Sequence, residues 1–485
     1  MRLLPPLFTA NSAVPILALN PQPPLQSDAL ADQGYVAYLS DSSDNSNVDH
    51  KQQAEKGQPA HYPTLSGAPL SKVQTEALAD ELNTLYQDVM DSLGATDARY
   101  IKRVYATVVY SELVARGILA SAGRLSSKRY QLGAWLVGTG LLSFSKILNN
   151  MELGHNVMHG QYDWMQHPHL NSRSFDWDIV CPAPLWQHSH NYLHHTFTNI
   201  VGRDHDVGYH LIRVTDEQAW IPSDRYNPFK TMVLALGFEW AVAFHDIQIS
   251  VDEYARSADR HPLLQQKSRA LFAKIVRQVG KDYAVLPIIA GIVLGRRSAL
   301  TTLSGNITAN IARNLWTWAV IFCGHLTEQA HIYTHLDDSE TKGDWYVRQI
   351  LGSSNIEGSK LFHLLTGNLS HQIEHHIFPD MPANHYGRIA PQVKKICQKY
   401  DLSYNTGNFG IQFKQVLKRI YHFSKPNADE LQAYEQIQSL CDADSIPIGK
   451  KEQRMTTPVS GIKSYLPEVV RDAWFYAWSA KPTKS

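Results

Sequence analysis

Three tight groups of histidines carry most of the chemistry this sequence can do. The first is HNVMH, with His155 and His159. On an α-helix, residues four apart lie only about 40° apart around the axis, so both imidazoles face one point, as in a helical metal-ligand pair. The second is HNYLHH, with His190, His194 and His195. His190 and His194 share a face, and His195 lies about 100° further round, where it can reach a neighbouring ion or wrap one side of a pair. The third is HQIEHH, in which His371, His375 and His376 repeat the spacing of the second.

Together the three groups offer eight imidazoles. Zinc closes a structural site with four ligands, usually including cysteine, and a catalytic site with three. Eight nitrogens are too many for one ion and suit two, and imidazole also suits iron and copper. Two redox metals side by side can bind and cleave dioxygen. One box alone is no more than a cluster of polar side chains; three such boxes point to a metal centre. His167, His169, His188, His205 and His210 fall outside the spacing pattern, and His331 and His335 read as belonging to a polar loop.

Helices must bring these groups together, and several stretches are apolar enough to serve. They are 103–121, 132–150, 283–303 and 306–324, with a shorter fifth stretch at 231–245. None is a clean run of the roughly 18 apolar residues that a membrane crossing asks for, because Glu112, Arg116, Lys146, Arg296, Arg297 and Arg313 interrupt them. Before them, Val73, Leu78, Leu82, Leu85 and Val89 have the spacing of an amphipathic helix. Residues 1–65 are rich in Pro, Ser, Asn, Asp and Gln without periodicity and read as a disordered tail. Pro5, Pro6 and Pro15 break the apolar opening, which makes a poor signal peptide. The polar stretch 426–485 reads as a variable tail.

The bulk composition excludes more than it assigns. Across 485 residues, 45 basic residues balance 45 acidic ones, so nucleic acid is not an expected partner. Charged residues are 19% of the chain and the mean hydropathy is −0.29. Cys181, Cys323, Cys397 and Cys441 are far apart, which fits a reducing compartment and excludes a cysteine-ligated cluster or zinc ribbon within this chain. No G-x-G-x-x-G or P-loop is present, so no bound nucleotide is expected.

The three boxes, in this order, resemble those of the membrane fatty-acid desaturases. The likeness extends over about residues 100–425. It is densest in WDIVCPAPLWQHSHNYLHHTFTNIVGRDHDVGY and GNLSHQIEHHIFPDMPANHYGRIAP, and continues into KYDLSYNTG. These stretches look most like bacterial acyl desaturases related to the front-end and linoleoyl-CoA types. The resemblance implies an all-α integral membrane protein with about four spans and a cytosolic helical cap holding a non-haem di-iron site. The desaturase domain would cover 66–425. The implied cofactors are two Fe, with O2 as co-substrate, and iron is preferred to copper on this ground alone.

By motif match the implied ligands are His155, His159, His190, His194, His195, His375 and His376, with one more histidine from the last membrane helix, for which His325 is the candidate. The first residue of the third box stays open between His371, favoured here for its i, i+4 relation to His375, and Gln372, which fits the Q-x-x-H-H form of front-end relatives. Glu152, Asp178, Asp204, Asp206 and Glu374 are the acids available to orient the imidazoles.

The implied reaction removes two hydrogens from a fatty-acyl chain carried by CoA, acyl-carrier protein or a lipid. No H-P-G-G segment of a cytochrome-b5-like domain and no ferredoxin cysteine pattern is present, so the electrons must come from a separate donor such as a ferredoxin or a ferredoxin-reductase-type protein. Hydroxylation or ketolation of a lipid or hydrocarbon by the same metal pair is the alternative outcome, distinguished by gain of oxygen rather than loss of two hydrogens. A membrane metal carrier would be distinguished by the lack of oxygen consumption. The expected location is a multi-pass position in a bacterial inner membrane, with the active site facing the cytoplasm. Convergence of the boxes demands an even number of crossings between His195 and His371, so 283–303 and 306–324 are expected to cross and 231–245 to lie in the interface. The positive-inside rule points partly the other way, through Arg124, Lys128, Arg129, Arg296 and Arg297.

Overall fold

The computed structural model describes residues 64–253, 260–334, 339–432 and 434–435. The tails expected at 1–65 and 426–485 lie outside these residues but for their edges, as do His335 and Cys441. The fold is almost entirely helical. Its one sheet among the described residues is a parallel pair, β1 (Asn355–Glu357) with β2 (Thr406–Asn408).

Helix α1 (Lys72–Met90) opens with a capping box. Ser71 N–H donates to Gln74 Oε1 at 2.9 Å while Gln74 N–H donates to Ser71 Oγ at 3.4 Å, and both would otherwise be orphan donors. Leu78, Leu82, Leu85 and Val89 are buried as their spacing predicts; Val73, in the first turn, is exposed. The long helices follow. Helices α2 (Ala95–Ala122) and α3 (Lys128–Leu148) form a hairpin. Helix α4 (Asn227–Leu236) and helix α5 (Phe238–Glu253) meet at Gly237. A second long arm comprises α6 (Arg260–Val279), a π-helical turn (Gly280–Val285) and α7 (Leu286–Leu294), and α8 (Arg296–His325) returns alongside it.

Two expectations need correcting here. The turn of the second hairpin is not near residue 304 but at Gly295, whose φ of +96° suits glycine alone. Helix α8 runs straight through the expected break, because Gly305 lets it pack on α2: a Cβ there would lie 2.6 Å from Leu119 Cδ2. Likewise 231–245 is not one helix. It is broken at Gly237, and the helical segments on either side are bent by 101°.

Among the described residues, no single helix is long and apolar enough to cross a membrane, and one bent pair, Pro222–Leu236 with Phe238–Ile249, passes by length and composition. The reason is visible in the packing. Of the charges that interrupt the apolar stretches, Arg296 and Arg297 sit exposed at the turn, while Glu112, Arg116, Lys146 and Arg313 are turned inward and paired. Arg116 meets Glu112 at 2.7 Å and Asp282 at 3.0 Å, Lys146 meets Asp178 at 2.7 Å and Asp282 at 2.8 Å, and Arg313 meets Glu239 at 2.6 Å. The exposed positions of the same helices are apolar: Leu113 and Val114 on α2, Leu136 and Val137 on α3, Ile288 and Ile292 on α7, and Ile307 and Ile311 on α8. An averaged hydropathy cannot see this division between faces.

Both hairpin tips lie together, since a Cβ on Gly123 would stand 2.3 Å from Ser298 N. The opposite ends of α3 and α8 lead into the first box and His325. A cap closes over that end, built from α9 (Lys342–Leu351), α10 (Gln372–Ile377), α11 (Tyr386–Lys399) and α12 (Phe409–His422). Val347, Ile350, Ile373, Ile377, Tyr386, Ile389 and Val393 form its core together with α1.

Candidate metal centre

The first two boxes do not sit on plain α-helix. Helix α3 continues into a π-helical stretch, Asn149–His155, and the second box occupies another, Gln187–His194. The i→i+5 bonding of a π-helix widens the turn and re-aims side chains, and such turns concentrate at functional sites. His190 and His194 therefore stack, with rings 5.0 Å apart and 19° from parallel, rather than standing as an ordinary i, i+4 pair.

Eight of the nine histidines that the boxes and the last long helix offer converge. His155, His159, His190 and His375 each offer a ring nitrogen within 4.8 Å of the others, and His194, His325 and His376 form a second such group. His195 lies between them, stacked on His376 at 4.5 Å and 4.8 Å from the rings of both His159 and His375. His371 is the exception. Its ring stacks on His363 at 4.6 Å, outside both groups. The i, i+4 relation to His375 fails because His371 is the N-cap, at φ −103° and ψ 58°, and the helix begins at Gln372. Gln372 thus shares a face with His375 and His376. Its Nε2 lies 2.9 Å from His325 Nε2. Gly324 permits the approach, since a Cβ there would come within 2.9 Å of Gln372 Cδ.

The outer nitrogens are held by the protein. His194 Nδ1 lies 3.0 Å from Asp204 Oδ2, and Asp206 stands 3.5 Å from His190 Nδ1 and 2.9 Å from His245 Nε2. His155 Nδ1 meets Asn156 Oδ1 at 3.1 Å, and His376 Nδ1 meets Gln349 Oε1 at 2.8 Å. Of the five acids named from sequence, Asp204 and Asp206 reach the imidazoles. Glu152 is taken up by Tyr100 and Asn368, Asp178 by Lys146, and Glu374 by Tyr404 and Asn355. Sequence reasoning missed Asn156, Gln349 and His245. Nothing about Gln349, on a separate helix of the cap, could have marked it.

The inner nitrogens are the telling ones. Nε2 of His159, His190, His195 and His375 is buried with no hydrogen-bond partner. An unsatisfied buried polar atom costs about 1–3 kcal/mol, so four facing one another demand something to bind. Burial, then the neighbouring imidazoles, holds His159, His195, His375 and His376 well below the ordinary histidine range, and His155 is pushed down to about 3. These rings are therefore neutral with lone pairs available, the form that ligates a metal. His194 is raised to about 9, because the Asp204 carboxylate overcomes the opposing effect of burial, and a cation bound there would displace that proton. The residues fit a pair of metal ions.

The fold and site define a class: a helical protein of long hairpins with inward-turned charges, carrying at one end converging histidines able to hold metal ions. The family model for fatty acid desaturase matches residues 132–408, which contain every convergent histidine, and the chain belongs to that family. It is 42% identical over 364 residues to the NADPH-dependent stearoyl-CoA 9-desaturase of Mycobacterium tuberculosis, covering 74% of this chain and 82% of that protein. It is 25% identical over 283 residues to the sn-1 linoleoyl-lipid 6-desaturase of Synechocystis, covering 56% of this chain and 74% of that one. A local likeness, 38% over 84 residues, links it to human fatty acid desaturase 3. The protein is an enzyme that desaturates fatty-acyl chains.

Proposed function

We propose that this desaturase acts on a fatty acyl-CoA and holds two irons between its boxes. One would be bound among His155, His159, His190 and His375, the other among His194, His325 and His376, with His195 between the groups and Gln372 beside His325. The observation that carries this is the set of four unpartnered inner nitrogens. Bound iron would supply the activation of dioxygen that desaturation needs.

The chain's own residues do the rest. Asp204, Asn156 and Gln349 fix ring orientation through the outer nitrogens, so that each inner nitrogen is presented as an acceptor. Trp177, Trp186, Phe238 and Ile321 line a cavity that also touches His155, His190 and His325, where an acyl chain can be held beside the centre away from bulk water. The CoA carrier and NADPH as the source of electrons rest on the activity for which the mycobacterial relative is named.

We further read α2, α3, the α6–α7 arm and α8 as four membrane crossings. Their outward apolar residues and the shared position of both hairpin tips support this. The cap and its centre are then cytoplasmic, where the reductant is made. Supplying stearoyl-CoA, NADPH, a reductase and oxygen to the purified enzyme tests the whole reading. The expected product is two hydrogens lighter, from protein carrying about two irons. An oxygenated product, or activity from zinc-only protein, would overturn it.

A further inference from the structure

The cavity beside the histidines is also lined by residues well down α8. One face of α8 lines it through His325, Ile321, Thr317 and Arg313, and the twelve helical steps between the first and the last rise about 18 Å. Trp177, Trp186, Phe238 and Ile321 give its wall apolar surface, and at the Arg313 end of this face an ion pair lines it. Arg313 Nη2 lies 2.6 Å from Glu239 Oε1, and both side chains are buried. The pair is clamped by the 178–180 segment and by α8 itself. Arg313 Nη1 donates to the Asp178 carbonyl at 2.9 Å and to Asn310 Oδ1 at 3.1 Å, while Glu239 Oε2 accepts the Val180 N–H at 3.3 Å.

A methyl terminus arriving here cannot pass. Going further would separate a pair of buried opposite charges and leave each alone, which is far costlier than stopping short. We propose that the Glu239–Arg313 pair is the floor of the acyl slot and sets how much chain fits beyond the metal centre, and with it the preferred chain length. The proposal rests on the histidine centre being the desaturation site. The floor is charged and braced rather than a single bulky side chain, so it gives a sharp limit instead of a soft one.

The test is a competition among acyl-CoAs of graded length, read as product ratios in membranes containing the full chain. Replacing both partners, Glu239→Ala with Arg313→Ala, removes the floor without orphaning a charge. It should move the preference to longer chains, by about tenfold or more in the ratio of long to short product, the scale on which apolar slots discriminate methylenes. Thr317→Ile, one turn nearer the metals, should move it to shorter chains by a similar factor, and does so even where the double variant fails to fold. Thr317→Val, matched in size to threonine, should keep the wild-type ratio whatever its rate. Unchanged ratios with Thr317→Ile, at any overall rate, would overturn the proposal while leaving the desaturation reading intact. A wild-type enzyme inactive on every acyl chain would overturn both.

Discussion

Gln372 Nε2 stands 2.9 Å from His325 Nε2, while the neighbouring His371 ring is turned away and stacked on His363. One backbone position separates a residue beside the converging histidines from one outside them, because α10 begins between them. Gln372→Ala should therefore lower iron content and activity by about 10–100-fold, the usual cost of losing a ligand or its support. His371→Ala should keep most of both. Iron analysis alongside turnover of each variant checks this, and the opposite ranking would return the role to His371.

Asp204 binds three partners at once: His194 Nδ1 at 3.0 Å, the Asn199 N–H at 2.7 Å and the Asp206 N–H at 2.9 Å. Its charge and geometry hold the His194 ring in one orientation. Asp204→Asn keeps the shape and removes the charge, so iron affinity should fall by about 10–100-fold while the fold survives. A chelator titration measures it. Asp206→Asn should also weaken binding, but less, since Asp206 stands 3.5 Å from His190 Nδ1 and shares itself with His245. Equal affinity in the Asp204 variant and the wild type would remove Asp204 from the support of the centre.

Much of this centre is readable in the sequence because box spacing is local. His155, His159, His190, His194, His195, His375 and His376 stand in short-range patterns, whereas His325 is named only through the family resemblance. What is not readable depends on backbone detail or on long-range packing. The register of the third box turns on where one helix starts. The π-helical stretches leave no periodic mark. Gln349 comes to His376 from a helix 27 residues away in sequence. The hairpin turn at Gly295 is hidden because apolar content outweighs a lone glycine between Leu294 and Arg296. The apolar outer faces of the long helices are hard to recognise because Lys146, Arg116 and Arg313 face inward, and composition alone cannot say which way a charge points.

Lys146 is the centre of that inward network, between Asp178 and Asp282 at 2.7 and 2.8 Å. Lys146→Met would leave two buried carboxylates short of a cation. Removing one partner of a buried pair typically costs about 3–5 kcal/mol, so the variant should lose thermal stability markedly in detergent. Lys146→Met combined with Asp282→Asn should recover some of the loss, although Arg116 then misses one of its own partners. A single variant as stable as the wild type would mean that the network contributes nothing to folding.

The last prediction concerns which end of the bundle meets which side of the membrane. The tips carry Arg124, Lys128 and Arg129 on one hairpin and Arg296 and Arg297 on the other, and all five are exposed. A charge at mid-bilayer costs about 2.5 kcal/mol or more, so the tips must emerge into water. The cap end, with its exposed Asp216 and Lys399, must do the same. Between the two ends lie the outward faces of Leu136, Ile288, Ile292 and Ile307, which suit hydrocarbon. Helix α8 alone, at thirty residues and about 45 Å, exceeds a hydrocarbon core near 30 Å. Cysteine labelling in intact cells decides the matter: Cys181, Cys323 and Cys397 are buried, so replacing Cys441 leaves a quiet background. Arg129→Cys and Arg297→Cys should be reached from outside, and Asp216→Cys and Lys399→Cys only after permeabilisation. Tips and cap labelled from the same face would break the four-crossing reading. Labels on opposite faces but reversed would keep the crossings, follow the positive-inside rule after all, and place the metal centre away from a cytoplasmic donor.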